Sequence, residues 1–154
     1  MFHKFNHIRK YLSTNDLNEI QAKIYAIESK SSGEVKLCLK HRIEFWNKSK
    51  SIEDLAKKYF LKFGMHKTKD RNGVLILILF KERKVTLLGD TGIHSKIKDD
   101  FWNNIISGIT KYFSDGKYKE GILYFLNEVG QVLEEFFPYK EGDTNELSDE
   151  IIIK

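Results

Sequence analysis

The longest uninterrupted apolar run spans residues 74–80, framed by Asn72-Gly73 on one side and by Lys81-Glu82-Arg83-Lys84 on the other. It falls far short of the roughly 20 residues of a bilayer span. Being continuous rather than alternating, it predicts a strand buried on both faces. Residues 85–88 form a second apolar run after that charged stretch, a spacing that suits a β-hairpin with antiparallel strands. Upstream, Leu17, Ile20, Ile24 and Ile27 recur at helical spacing behind Ser13 or Thr14, and the pattern ends near Ser32-Gly33. Residues 34–40 then alternate, Val35, Leu37 and Leu39 against Lys36, Cys38 and Lys40, and read as the first strand. Ser51 and Asp54 are spaced as a capping box for a helix with Ile52, Leu55, Ala56, Tyr59, Phe60 and Phe63 on one face, closed by Gly64. Strand, helix, strand predicts a right-handed βαβ unit with parallel strands.

Beyond the hairpin, residues 91–98 read as a short irregular connection, after which Asp99 or Asp100 caps a helix carrying Phe101, Trp102, Ile105, Ile109, Tyr112 and Phe113. Asp115-Gly116 breaks it, and a last helix over residues 118–137 stops at Pro138. Residues 1–12, with Phe2, Phe5, Ile8 and Leu12 among basic residues, have the spacing of a short amphipathic helix. Residues 150–153 either add an edge strand or lie on the surface. The order predicts a three-layer α/β/α, Rossmann-like sandwich: a small mixed sheet with helices on both faces, formed by residues 1–138 as one domain and followed by a tail, 139–154.

Composition changes this picture in two places. The net charge of +4 divides into about +7 for the body and −3 for the tail, and no long basic run accompanies it. Nucleic acid is therefore not an expected partner. The single cysteine, Cys38, has no partner for an intramolecular disulfide, and its strand position predicts a buried, inert thiol in a reducing compartment. The basic N-terminus lacks a signal-peptide core, so the expectation is a soluble cytoplasmic monomer without a membrane partner.

Antiparallel pairing brings Asp70, Asn72 and Gly73, before the central strand, near Gly89-Asp90-Thr91-Gly92, after the next one. Asp70 and Asp90, as neighbours at that sheet edge, either share a hard divalent cation, calcium or magnesium, which in turn holds a phosphate, or only solvate and cap their loops. Asp99 and Asp100 either complete that cluster or serve the helix they precede. Arg83 lies at the opposite end of the hairpin, where it either clamps a phosphate or belongs to the turn. Gly89 and Gly92 either let backbone N–H groups approach an anion or permit a tight turn with positive φ. His94 is either a general acid or metal ligand or a structural turn residue; Trp46 and Trp102 read as packing residues. No spacing argues for a Cys-His or Ser-His-Asp arrangement, and no nucleophile or general base stands out.

The runs SIEDLAKKYFLKFG, DRNGVLILILFKERKVTLLGDTGIHSKI, GKYKEGI and FFP resemble the TPM domain family over about residues 12–138. The resemblance implies a compact Rossmann-like α/β/α sandwich without the dinucleotide-binding glycine fingerprint, hence no nucleotide cofactor and no haem. Some members are phosphatases of phosphomonoesters or nucleoside phosphates, some bind calcium or another divalent ion, and others are assembly or repair factors. Most are exported or membrane-anchored; this chain resembles the short soluble bacterial branch. Asp70, Asn72, Gly73, Arg83, Gly89 and Gly92 match the family pattern, so the resemblance implies substrate contacts for Asn72, Gly73, Arg83, Gly89 and Gly92. Asp90-Thr91 replaces a more usual aromatic between the two glycines. Two functional hypotheses follow: a divalent-metal-assisted phosphohydrolase acting on a phosphorylated small molecule or nucleotide, and a non-enzymatic module that docks a protein partner.

Overall fold

The computed structural model describes residues 7–47, 49–143 and 145–154. The expected N-terminal helix over residues 1–12 falls partly outside them; within them, Ile8 and Leu12 are buried. Helix α1 (Thr14–Lys30) is capped in both directions by Ser13, whose Oγ accepts from the Asp16 N–H at 3.0 Å while its own N–H donates to the Asp16 carboxylate at 2.9 Å. Strand β1 (Glu34–Lys40) leads through a 3₁₀ turn, Phe45–Asn47, to helix α2 (Ile52–Lys62), whose N-cap Ser51 accepts from the Asp54 N–H. Gly64, left-handed at φ +70°, ends this segment and opens the 3₁₀ turn Met65–Lys67. Strands β2 (Gly73–Leu79) and β3 (Lys84–Gly89) form the hairpin; Arg83 turns the chain at φ +53°.

A single helical turn, α3 (Thr91–His94), replaces the irregular connection expected there, because the Asp90 side chain accepts the Thr91 N–H and starts it. Helices α4 (Asp99–Ser114) and α5 (Tyr118–Phe136) complete the body. The N-cap of α4 is Lys98 rather than Asp99 or Asp100; both acids lie in its first turn, where carboxylates complement the helix dipole. The tail returns to the sheet as β4 (Ile152–Ile153), resolving the alternative left open for residues 150–153 in favour of an edge strand.

The sheet order is β3-β2-β1-β4, with β1 parallel to β2 and to β4 and with β2 antiparallel to β3. One face packs Val35, Leu37, Leu39, Val74, Ile76 and Ile78 against α1, α4 and α5. The other packs Cys38, Leu75, Leu77 and Leu79 against Leu55, Ala56, Tyr59 and Phe60 of α2. The alternation in β1 does not mark a wet face: all seven of its residues are buried. Lys36 Nζ donates to the Ser148 carbonyl at 2.6 Å, while Lys40 Nζ donates to Tyr59 Oη at 2.8 Å and pairs with Glu44. Hydrogen-bonded in this way, both lysines tolerate a position between two apolar layers. Trp102 packs in the core as expected, but Trp46, on the 3₁₀ turn outside both layers, is 75% exposed.

Candidate acidic site at the head of β1

Glu34, the first residue of β1, is level with Gly73 of β2, and Gly89 of β3 lies across from Val74. One sheet edge thus carries Glu34, the loop before β2 and the turn after β3, as the hairpin implied. Arg83 turns the chain at the other end and is remote from this edge.

The expected acids behave differently from one another. Asp90 receives Arg71 Nε on Oδ2 at 2.6 Å and Arg71 Nη2 on Oδ1 at 2.7 Å, with the Thr91 N–H also on Oδ1 at 2.8 Å. Burial alone would raise its carboxyl, but the Arg71 guanidinium and the Thr91 N–H outweigh that and hold it below the ordinary carboxylate range. A fixed guanidinium repels a metal ion from the same carboxylate, which counts against Asp90 as a ligand. Asp70 is exposed and lines a separate hollow with Ser32, Lys69, Lys140, Asp143 and Glu146, whereas Asp90 lines one with Arg71, His66 and Leu88. The two loops meet where the Gly92 N–H donates to the Arg71 carbonyl, and the two side chains line different hollows. Asp99 and Asp100 are exposed on α4, and Asp99 stands 3.6 Å from the half-exposed ring of His94. Among the described residues, none of these four aspartates joins a group of three close ligand atoms.

Asn72 is buried; its Nδ2 donates to the Ser32 carbonyl at 2.9 Å and fixes the turn into β1. Gly89 and Gly92 have no positive φ, contrary to one expectation for them. They are needed for close packing: a Cβ on Gly89 would stand 2.6 Å from Ile93 Cγ2, and one on Gly92 would stand 2.6 Å from the Arg71 carbonyl oxygen. Gly73 meets the Met65 carbonyl in the same manner, at 3.0 Å.

A different acidic group occupies the edge. Glu28 near the end of α1, Glu34, and Asp149 of the tail bring one carboxylate oxygen each within 4.8 Å of one another. They line a hollow of about 210 Å³ with Tyr25, Ser31, Tyr139, Asp143 and Asn145, and among the described residues no lysine or arginine lines it. Glu34 is only 3% exposed; its Oε1 accepts the Glu146 N–H at 2.7 Å, while its Oε2 is buried without a donor. Glu28 Oε1 accepts the Val35 N–H at 2.8 Å, and its Oε2 likewise has no donor. Burial, reinforced by Asp149, pushes the Glu28 carboxyl up to about 9. Burial pushes Glu34 up to about 7, with the charges of Asp149 and Glu146 adding to the rise over the opposing Glu146 N–H.

A hard divalent cation fits this donor set. Calcium takes oxygen ligands at about 2.3–2.6 Å, so ligands on opposite sides of one ion stand about 5 Å apart, as far as these oxygens spread. The site escaped the sequence reading because its parts come from three elements. Glu28 resembles the wet side of α1 and Asp149 an ordinary tail acid; the available signal was Glu34 heading a strand that a βαβ crossover must cover.

Fold and site together define a class: a Rossmann-like α/β/α sandwich with a carboxylate-lined hollow at one sheet edge. The chain belongs to the TPM-domain family, whose model matches residues 6–132. It is similar to the BA42 protein of the psychrophilic bacterium Bizionia argentinensis, with 30% identity over 92% of this chain and 94% of that one, and a TM-score of 0.81. The N-terminal domain of a P. gingivalis protein shares the fold at 24% identity over 81% of this chain and 78% of that one, with a TM-score of 0.68. So does the N-terminal domain of the cg2496 protein of Corynebacterium glutamicum, at 16% identity over 79% and 74%, with a TM-score of 0.59. No curated protein matches the chain significantly. Among the described residues no helix is long and apolar enough to cross a membrane.

Proposed function

We propose that the protein holds a hard divalent cation between Glu28, Glu34 and Asp149 and hydrolyses a phosphoester beside it. The observation that carries this reading is the meeting of three carboxylates, one of them almost fully buried with an oxygen that no protein donor satisfies. A bound cation would supply positive charge and Lewis acidity for a phosphate oxygen. The chain's own residues orient the substrate. Lys69 and Lys140 line the adjoining hollow, which shares Ser32 and Asp143 with the acidic one, and they offer ammonium groups to a phosphate that would otherwise meet only carboxylates. Asn72 keeps the Ser32 turn in register between the two hollows. The substrate class is a phosphorylated small molecule, a monoester or a nucleotide.

Phosphate release from ATP, ADP and a chromogenic monoester with magnesium, manganese or calcium tests the reading, alongside calorimetric titration of each metal. Turnover should require the cation and fall at least about 100-fold in Glu34→Gln, in the range seen when one preorganised electrostatic group is removed. Unchanged turnover in that variant would remove the assignment.

A second reading, a non-enzymatic module that docks a protein partner, is favoured by an acidic hollow that no described lysine or arginine lines and by the tail seated against the β1 edge. Cation binding without turnover, with a co-purifying partner that is lost on deleting residues 139–154, would select it.

A further inference from the structure

The segment 145–154 lies outside the residues that match the family model, yet it reaches into the body at every step. Gln21 of α1 grips its backbone with both amide atoms: Nε2 donates to the Asp149 carbonyl at 2.6 Å, and Oε1 accepts the Ile151 N–H at 3.0 Å. Lys36 holds the Ser148 carbonyl, Glu34 holds the Glu146 N–H, and the Lys154 N–H donates to the Leu39 carbonyl at 3.0 Å. The strand it adds is only two residues long, with both isoleucines half-buried. So short a ladder does little to offset the ordering of ten residues.

Docking also sets Asp149 against Glu28 and Glu34, with carboxylate oxygens within 4.8 Å. As carboxylates the three groups oppose the docked position at that range, and a divalent cation, which binds their ionised forms, reverses the sign. We infer that the segment 145–154 is a latch closed by the cation, so that occupancy of the Glu28–Glu34–Asp149 site and coverage of the β1 edge are a single linked equilibrium. The inference rests on the cation site proposed above and adds its regulation. With the latch open, the site loses its third carboxylate, and the outer edge of β1 around Leu39 is a free strand edge available for pairing. By thermodynamic reciprocity, the factor by which cation favours docking equals the factor by which docking tightens cation binding.

The experiment uses the full chain, with calcium and magnesium as the ligands, and reads two quantities: metal affinity by calorimetry, and hydrogen exchange at the amides of Ile151 and Lys154. In the wild type, saturating metal should slow exchange at both amides by about tenfold or more. Asp149→Asn should weaken metal binding by a similar factor and abolish the metal dependence of exchange. Gln21→Ala, which removes the grip on the segment without touching a carboxylate, should weaken metal binding as well, and it keeps the test decisive if Asp149→Asn undocks the segment by itself. Metal that binds wild type and Gln21→Ala equally, with unchanged exchange at Ile151 and Lys154, overturns the latch and leaves the cation site standing, whereas equal binding by Asp149→Asn removes Asp149 from the site and the latch with it. Failure of wild type to bind either metal removes the cation site, and the latch with it.

Discussion

Gly92 shows how a single missing Cβ holds the site edge together. A Cβ at this position would run into the carbonyl oxygens of Asp70 and Arg71, and the Gly92 N–H donates to the Arg71 carbonyl at 2.9 Å. Gly92→Ala should therefore destabilise the fold by about 1–3 kcal/mol, as overpacking against backbone does. A urea melt at neutral pH checks this. Arg71 itself sits at φ +50°, a conformation an L-residue rarely adopts, and its bidentate pair with Asp90 compensates for that strain. Cys38 offers a second test at this scale. Fully buried, with burial pushing its thiol up to about 12, it should resist a thiol reagent in the native protein and react at once in denaturant. That burial was expected from the place of Cys38 in a strand, although the alternation sets it with Lys36 and Lys40, whereas Glu34 in the same strand was not readable as a site. One charged residue at the start of a strand has the same sequence signature whether it faces water or two other carboxylates.

At the scale of elements, β1 departs furthest from its pattern. The polar members of its alternation point into covered space, because α2 closes one face and the tail closes the outer edge. Lys40 is the clearest case. Burial alone would lower its ammonium, yet the Glu44 carboxylate and the Tyr59 hydroxyl outweigh that and keep it charged. Glu44→Gln removes the counter-charge and leaves a buried ammonium, so it should lower stability by about 3 kcal/mol. Lys40→Met, which removes the buried charge itself, should cost less, and denaturant midpoints of the two variants decide the order. The helices were legible because their apolar stripes and Ser caps are local signals. The turn α3 was not, since what starts it is an Asp90 side chain fixed from another loop by Arg71.

For the whole molecule, the charge division between a basic body and an acidic tail has a structural counterpart: the tail lies on the body and delivers Asp149 to the buried Glu34 and the partly buried Glu28. This sets a pH dependence. The folded-state pKa values of Glu34 and Glu28, about 7 and about 9, stand above the ordinary 4.5, so the native state binds more protons than the unfolded chain between those limits. Their contribution to stability is full below about pH 4.5 and is lost as pH rises through about 7 and then about 9. Melting temperature without metal should therefore fall from pH 5 to pH 9, and Glu28→Gln together with Glu34→Gln should flatten the trend in differential scanning calorimetry. Local order in the chain was enough to define strands, helices, the hairpin and the parallel pairing of β1 with β2, because apolar periodicity, caps and turn residues act over a few neighbours. Which acids meet is a different kind of question. Asp70 and Asp90 share an edge but not a hollow, while Glu28, Glu34 and Asp149, as far as 121 residues apart, share one. Long-range packing alone settles that, since the direction of a carboxylate at the end of a strand depends on which segment covers it, and here the covering segment is the returning tail.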